Sequence, residues 1–531
     1  MNFIKKKFFI LFLSFYFLIG SINSINSGIS FDENYEEMNW KFHVSFVQDF
    51  YSKVLSNNKI DTEKLKTEAK RFVGYGIGFQ IISQPIQFFL KKILIKNSEL
   101  SADGAKFLSK HFVVFLFFFI SGLFFYLILR KIIDNEIFSS LGTIFYLTYP
   151  YLFGQSMFSP KDIPFLSVWL ICTYFSFNGI QKFILGKTIE NKEILLISIL
   201  TAFLFSIRIA GILILIQYFI LFLLFLNNYK LEILNFIKKL KYKILLFLVS
   251  LVVFTYLLNP IFWIDVSFFI ETIKINVGHF NNVGTNTFGK IMYSKDLPST
   301  YLPIWFLVKI PLLIIIGILL IPFSEKKIFK NKEKSIYYGT ILITTFLIPL
   351  ILILRKVHLY DEIRQVMFLV PLIFILALVS IFTISKKLYF CSTILMIFFF
   401  VAENIKINPY QYVWFNLPSR FVDLTNKFEL EYQGISGREI AKYLSKKKDN
   451  NLCILANPLH SVKPFLNNTN FNCYDIWQKI DSNYDRPFFA LQNVRNIKKS
   501  LPYNCREIFQ SDFNLFFHKK KFIAAKLLKC E

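Results

Sequence analysis

Residues 29–40 read ISFDENYEEMNW, a carboxylate-rich stretch that follows closely on the first apolar run of the chain. Its adjacent acids, Asp32 and Glu33, are of the type that takes a proton from an attacking hydroxyl, and at a membrane surface such a carboxylate can work on a lipid-linked substrate. Four more polar clusters stand out from apolar surroundings. Lys161 and Asp162 lie between Pro160 and Pro164 in GQSMFSPKDIPF (154–165), where the two prolines stiffen a charged turn. Arg208 interrupts the apolar FSIRIAG (205–211). His279 belongs to a polar stretch, 260–302, that ends on Tyr301 between Pro298 and Pro303. RKVHLYDEIRQVMFLVP (355–371) crowds Arg355, Lys356, His358, Tyr360, Asp361, Glu362 and Arg364 together. An arginine at membrane depth is costly unless it meets a polar cavity or an anion, and its planar fork suits phosphate. Plainer readings stand beside these: a surface turn with a local ion pair for Lys161–Asp162, a snorkelling Arg208, a hydrogen-bonded structural His279.

Membrane helices have to position these groups. The 531-residue chain is 54% hydrophobic, has a mean hydropathy of +0.47, and carries its apolar residues in long runs. A net charge of +26 ordinarily suggests nucleic acid. Here the lysines gather in short loops between apolar runs, where they orient spans, and no nucleic-acid partner is inferred. Threaded by that rule, eleven spans fall near 8–23, 106–129, 137–153, 164–180, 193–207, 209–227, 244–259, 303–321, 335–354, 364–384 and 388–403. The loops placed inside, 130–131, 182–192, 230–243, 326–334 and 386–387, are all basic. Residues 1–24 have the form of a signal peptide, but the topology balances when they stay as an uncleaved first helix. Asp32, Asp162, Arg208, His279 and Arg364 then share the outer side. The outer loop 24–105 is expected to hold a helix from Asp32 to Leu55 along the membrane surface. A second, interfacial helix is expected over 72–95, where glycines and Pro85 argue against a span.

The chain thus divides into a transmembrane domain, 1–403, and an outer domain, 404–531, rich in Asn, Lys and Asp with short apolar runs that suggest a small mixed α/β unit. Cys453, Cys473, Cys505 and Cys530 all fall in the outer domain, and an even set in an oxidising compartment permits two disulfides in three pairings. The pairing expected is Cys453 with Cys473 and Cys505 with Cys530, with free thiols the alternative. No His/Cys metal cluster is present, although two carboxylates can take a divalent cation through oxygen ligands, so a divalent metal stays open as a cofactor.

Several segments resemble one family. Asp32-Glu33 after the first span resembles the "DE" signature of the polyprenyl-phosphate-dependent glycosyltransferases of the protein mannosyltransferase and aminoarabinose transferase type. SPKDIPF resembles an N-P-K-D-I-P-F-like loop of one bacterial branch, and YDEIRQVMFLVP (360–371) its Y-D-x-x-R-x-x-x-F-x-x-P segment. STYLPIWFLVKIP (299–311) is similar to its Y-x-P-x-x-x-x-x-K-T-P turn, with Ile310 in place of threonine. NPYQYVWFN (408–416) and FELEYQGISGREIAKYL (428–444) resemble H-P-Y-x-Y-V-Y-F-N and F-E-x-D-Y-W-G-x-S-x-R-E, with Asn408, Trp414, Glu431 and Gln433 as departures. The resemblance covers about residues 8–445. It implies an all-α polytopic membrane protein of the type C glycosyltransferase fold in the inner (plasma) membrane. The implied reaction moves a sugar, with inversion, from a polyprenyl-phosphate donor to a lipid, glycan or protein acceptor on the outer face. Asp32 would be the base, with Glu33 as its fallback, and Asp162 would position it or bind a cation. Arg208 and Arg364, with Lys161, would hold the departing phosphate, and His279, Tyr301, His358, Tyr360 and Asp361 would complete the substrate site. The rival class is a transporter or flippase of a lipid-linked glycan. That class calls for polar residues through the depth of the spans or for paired half-repeats, and neither is evident.

Overall fold

The computed structural model describes residues 2–56, 62–97, 100–278, 282–446, 453–466, 473–476, 488–493 and 504–530; His279 lies outside them. The chain opens with α1 (Asn2–Asn26), α2 (Glu33–Leu55), α3 (Thr62–Ala69) and α4 (Gly78–Asn97). Then come the long α5 (Ala102–Ile133), α6 (Glu136–Thr148), α7 (Pro150–Gln155), α8 (Asp162–Ile184), α9 (Asn191–Ile207), α10 (Ile214–Tyr229) and α11 (Ile233–Leu257). Short α12 (Ile261–Ile264) and α13 (Phe268–Gly278) lead to a hairpin of β1 (Gly284–Thr287) and β2 (Lys290–Tyr293). The helical part closes with α14 (Tyr301–Lys309), α15 (Leu312–Leu319), α16 (Ile321–Ile328), α17 (Lys332–Leu354), α18 (Val370–Ile384) and α19 (Lys386–Lys406).

Among the described residues, eight helices are long and apolar enough to cross a membrane, or nine if the bent pair α14–α15 counts as one crossing. The chain is a multi-pass membrane protein. Their outward faces carry residues such as Leu11, Phe15, Val252, Leu395 and Phe398, each more than 60% exposed, which only lipid would cover without cost. Three of the eleven runs read from the sequence are not among the eight candidate spans as single helices. Residues 137–153 break at Tyr149–Pro150, because proline offers no N–H to continue α6 and instead starts α7. Residues 193–207 form α9, 17 residues long. Residues 303–321 bend by 117° between α14 and α15, just before Pro311. The carbonyls freed at that bend are satisfied by neighbours: Asn416 Nδ2 donates to Leu307 O (2.6 Å) and Ile310 O (2.9 Å), and the Tyr149 hydroxyl to Lys309 O (2.6 Å). Residues 72–95 yield α4, which is not among the candidate spans.

Beyond α19 the chain forms α20 (Leu424–Lys427), α21 (Gly437–Leu444) and a five-stranded sheet of β3 (Cys453–Ala456), β4 (Cys473–Ile476), β5 (Phe488–Asn493), β6 (Cys505–Phe513) and β7 (Phe522–Cys530). The order is β4-β3-β5-β7-β6, with β3, β4 and β5 parallel and β7 antiparallel to both its neighbours. α21 packs Ile440, Ala441 and Leu444 onto Ile454, Phe489 and Leu527. Cys505 and Cys530 face each other across β6 and β7 and are joined. Cys453 is also disulfide-bonded and lies opposite Cys473 in the parallel register, but the Cys473 side chain is outside the described structure. The domain is anchored by Arg420, whose guanidinium makes a two-pronged pair with Glu403 of α19 (2.9 and 2.7 Å) and also donates to Phe415 O and Phe516 O.

Candidate active site

Asp32 ends the turn that leads into α2, and α2 carries a polar face behind it. Asp32, Glu36, Asn39 and His43 recur at helical spacing and so share one side, while Glu33 and Glu37 are rotated by about 100°. That rotation separates two roles. Glu33 is fully buried: its Oε1 accepts the Ser30 N–H (2.7 Å) and its Oε2 meets His111 Nε2 (2.8 Å), whose Nδ1 in turn meets Ser27 Oγ (2.8 Å). Glu37 is ion-paired with Lys106 and with Lys110 (3.4 Å). The fallback base of the sequence reading therefore faces the protein interior and stands outside the cavity, tied to α5. Removing it strands a buried imidazole, so Glu33→Ala is expected to cost about 1–3 kcal/mol of stability. Thermal unfolding in detergent checks this, with Glu33→Gln losing less because it keeps an acceptor.

The other face of α2 opens on a cavity of about 270 Å³, walled by the starts of α2 and α8, the end of α9 and residues 358–365. Each element ends there for a local reason. α8 begins at Asp162 directly after Pro160 and Lys161. α9 stops at Arg208, whose extended backbone (φ −149°, ψ 133°) interrupts the helix before a short 3-10 turn and α10, leaving its side chain at the break. Residues 357–360 adopt no regular secondary structure, and Arg364 starts a 3-10 turn that leads into α18.

Asp162 lies between two guanidinium groups. Arg208 is ion-paired with its Oδ1, Arg364 Nε stands 3.5 Å from its Oδ2, and Ser159 Oγ donates to the same oxygen (3.1 Å). Arg364 is nearly buried and gathers three carboxylates, reaching Asp32 Oδ2 at 2.6 Å and Asp361 Oδ2 at 3.7 Å as well. Asp32 is the accessible member of the set, its side chain 48% exposed against 7% for Asp162 and Asp361. Beside it Glu36 pairs with Lys161 (2.7 Å), and the lysine ammonium stands 4.2 Å above the Tyr75 ring. Burial pushes the Glu36 carboxyl up and the Lys161 ammonium down from their ordinary values, each resisted by the partner's charge. Burial lifts the Tyr360 phenol to about 12 against the pull of Arg364.

The wall carrying Arg364 is held in an unusual backbone. Asp361 (φ 54°) and Glu362 (φ 69°) both adopt the left-handed region, which costs a residue with a side chain roughly 1–2 kcal/mol. The cost is met by contacts from behind: the Asp361 N–H donates to Thr285 Oγ1 (3.0 Å), the Glu362 N–H to the Tyr301 hydroxyl (3.1 Å), and the Glu362 carboxylate meets the buried Lys309 ammonium (2.7 Å). Burial raises the Glu362 carboxyl to about 8, with Lys309 opposing. Tyr301 is thus a buttress behind the cavity wall, not part of its lining.

Of the candidate residues, Asp32, Lys161, Asp162, Arg208, His358, Tyr360, Asp361 and Arg364 converge on this cavity, from segments up to 332 positions apart. Glu33 and Tyr301 do not line it. Glu36, Tyr35 and Tyr75 line it and were not singled out from the sequence, although the four-residue step from Asp32 to Glu36 already placed both acids on one helix face. Among the described residues no three His, Cys, Asp or Glu side chains come together as a metal site. The arrangement offers an accessible carboxylate within reach of two guanidinium groups and an ammonium, a set able to accept a proton and hold an anion at once. Comparison with known proteins finds no family model and no curated protein that matches the chain.

Proposed function

We propose that the protein is a membrane glycosyltransferase that moves a sugar from a polyprenyl-phosphate donor to a hydroxyl of a lipid, glycan or protein acceptor. The observation that carries this reading is the meeting of Asp32 with Arg208 and Arg364 in one cavity. In this reading Asp32 takes the acceptor proton as the oxygen attacks the anomeric carbon. The bond to phosphate breaks on the opposite face, inverting the centre, and Arg208, Arg364 and Lys161 hold the departing phosphate. Asp162 fixes the two arginines relative to each other. The wall 357–360 supports a donor that is half lipid: His358 and Tyr360 face the charged cavity, while Val357 and Leu359 face an apolar groove with Leu302 and Leu352. This reading takes α6–α7, α9 and the bent pair as further crossings and the N-terminus as inside, in keeping with the basic loops, and so puts the cavity and the C-terminal domain on the outer face of the inner (plasma) membrane.

The test is transfer of label from a panel of polyprenyl-phosphate sugars into membrane acceptors by the full chain in lipid nanodiscs. Wild type is expected to use at least one donor. Asp162→Asn, which lets both arginines drift, is expected to lower transfer about 100-fold at matched expression. Absence of transfer by wild type across the panel would sink the reading.

A further inference from the structure

The turn that delivers Asp32 to the cavity is held from a distant part of the chain. We infer that the C-terminal domain is a clamp that positions Asp32, with Arg438 and His460 as positioning residues; this rests on the reading of Asp32 as the base. α1 ends at Asn26 with carbonyls that the helix itself cannot satisfy, and the negative end of its dipole points at the turn. Arg438 of α21 answers both. Its Nη1 donates to Ile25 O (2.8 Å) and Ser27 O (2.9 Å), its Nη2 to Asn26 Oδ1 (3.4 Å), and the guanidinium rests 5.0 Å from the centre of the Phe465 ring. The next residues are fixed in turn. A Cβ on Gly28 would lie 1.9 Å from Ile435 O, so the two backbones meet at a distance only glycine allows. His460 Nε2 stands 2.9 Å from Ser30 O, and the Phe31 N–H donates to Gln433 O (2.7 Å). Asp32 follows directly.

The topology explains why these residues are free to do this. At the carboxyl ends of the parallel neighbours β3 and β5, the Asn493 amide donates to Asn457 O (2.8 Å) and ties the two strand ends together. The loop leaving β3 then turns outward, with His460 on Ser30 and Pro464 O accepting from Ser101 Oγ (2.9 Å). The loop at this end of the sheet is thus occupied by docking to the membrane domain.

The experiment is hydrogen–deuterium exchange on the full chain in nanodiscs, paired with transfer kinetics, for wild type, Arg438→Ala and His460→Ala. Both variants are expected to speed exchange of the amides of 27–36 about tenfold or more while β6, β7 and α5 keep their protection, which shows that the fold is intact. Transfer should fall in kcat by about 100-fold with the donor KM within about twofold, because the base is displaced while the phosphate-holding cations stay. If Arg438→Ala unfolds the domain, His460→Ala alone decides. Unchanged exchange of 27–36 in the folded variants overturns the clamp. Faster exchange in a protein whose wild type transfers no sugar keeps the clamp and removes the transferase reading.

Discussion

Asp32→Asn is expected to reduce sugar transfer by about 10²–10⁴-fold, the usual worth of a positioned general base, in a protein that expresses and unfolds like wild type. The fold should tolerate the change because the Asp32 side chain is nearly half exposed, and asparagine still offers an oxygen to Arg364 at the 2.6 Å contact. Donor binding should persist, since Arg208, Arg364 and Lys161 are untouched and lose one competing anion. The neighbouring acid cannot take over: Glu33 points to His111 at 2.8 Å on the other side of the helix. Single-turnover transfer with donor titration separates these effects, and full activity in Asp32→Asn would move the base to Glu36 or Asp162.

Arg364 should give the largest combined effect on stability and turnover. Its guanidinium stands among Asp32, Asp162 and Asp361 and is almost buried, so removing it leaves Arg208 as the remaining guanidinium beside three crowded carboxylates, two of them only 7% exposed. Arg364→Ala is expected to destabilise the protein by about 3 kcal/mol or more. Arg364→Lys keeps the charge and loses the fork; it should stay folded and lose roughly 10²–10³-fold in transfer, as when one preorganised donor is taken from a developing anion. Thermal unfolding and kcat measured on the same preparations separate the two outcomes, and a lysine variant with full activity would remove Arg364 from the phosphate site.

The membrane character was plain in the sequence because apolar runs and basic loops report directly on a lipid solvent. The interruptions were harder to read. Pro150 and Pro311 sit inside largely apolar runs, and only packing shows that one becomes a helix break and the other a 117° bend, with Asn416 and Tyr149 covering the exposed carbonyls. At the cavity, residue type and charge were enough to single out Asp32, Asp162, Arg208 and Arg364, since charge in an apolar setting calls for a partner. Orientation was not. Asp32 and Glu33 are equivalent as neighbours in a string, and become opposite in role only when α2 begins at Glu33 and turns one toward the cavity and the other toward His111. Tyr301 was noticed for its prolines, yet its work is to hold the left-handed backbone of Glu362 from behind, a contact spanning 61 positions that no local pattern announces.

The strand β7, last in sequence among the five, is not at an edge of its sheet but between β5 and β6. A ribosome making this chain therefore completes the membrane helices and both flanking strands before it supplies the segment that joins them. At about 5–20 residues per second, the polar turn at Asp32 waits on the order of a minute after its own synthesis before the sheet that carries the β3 loop can close. If the proposed activity needs that clamp, order of assembly alone would keep nascent or truncated chains from transferring sugar, with the membrane domain already inserted.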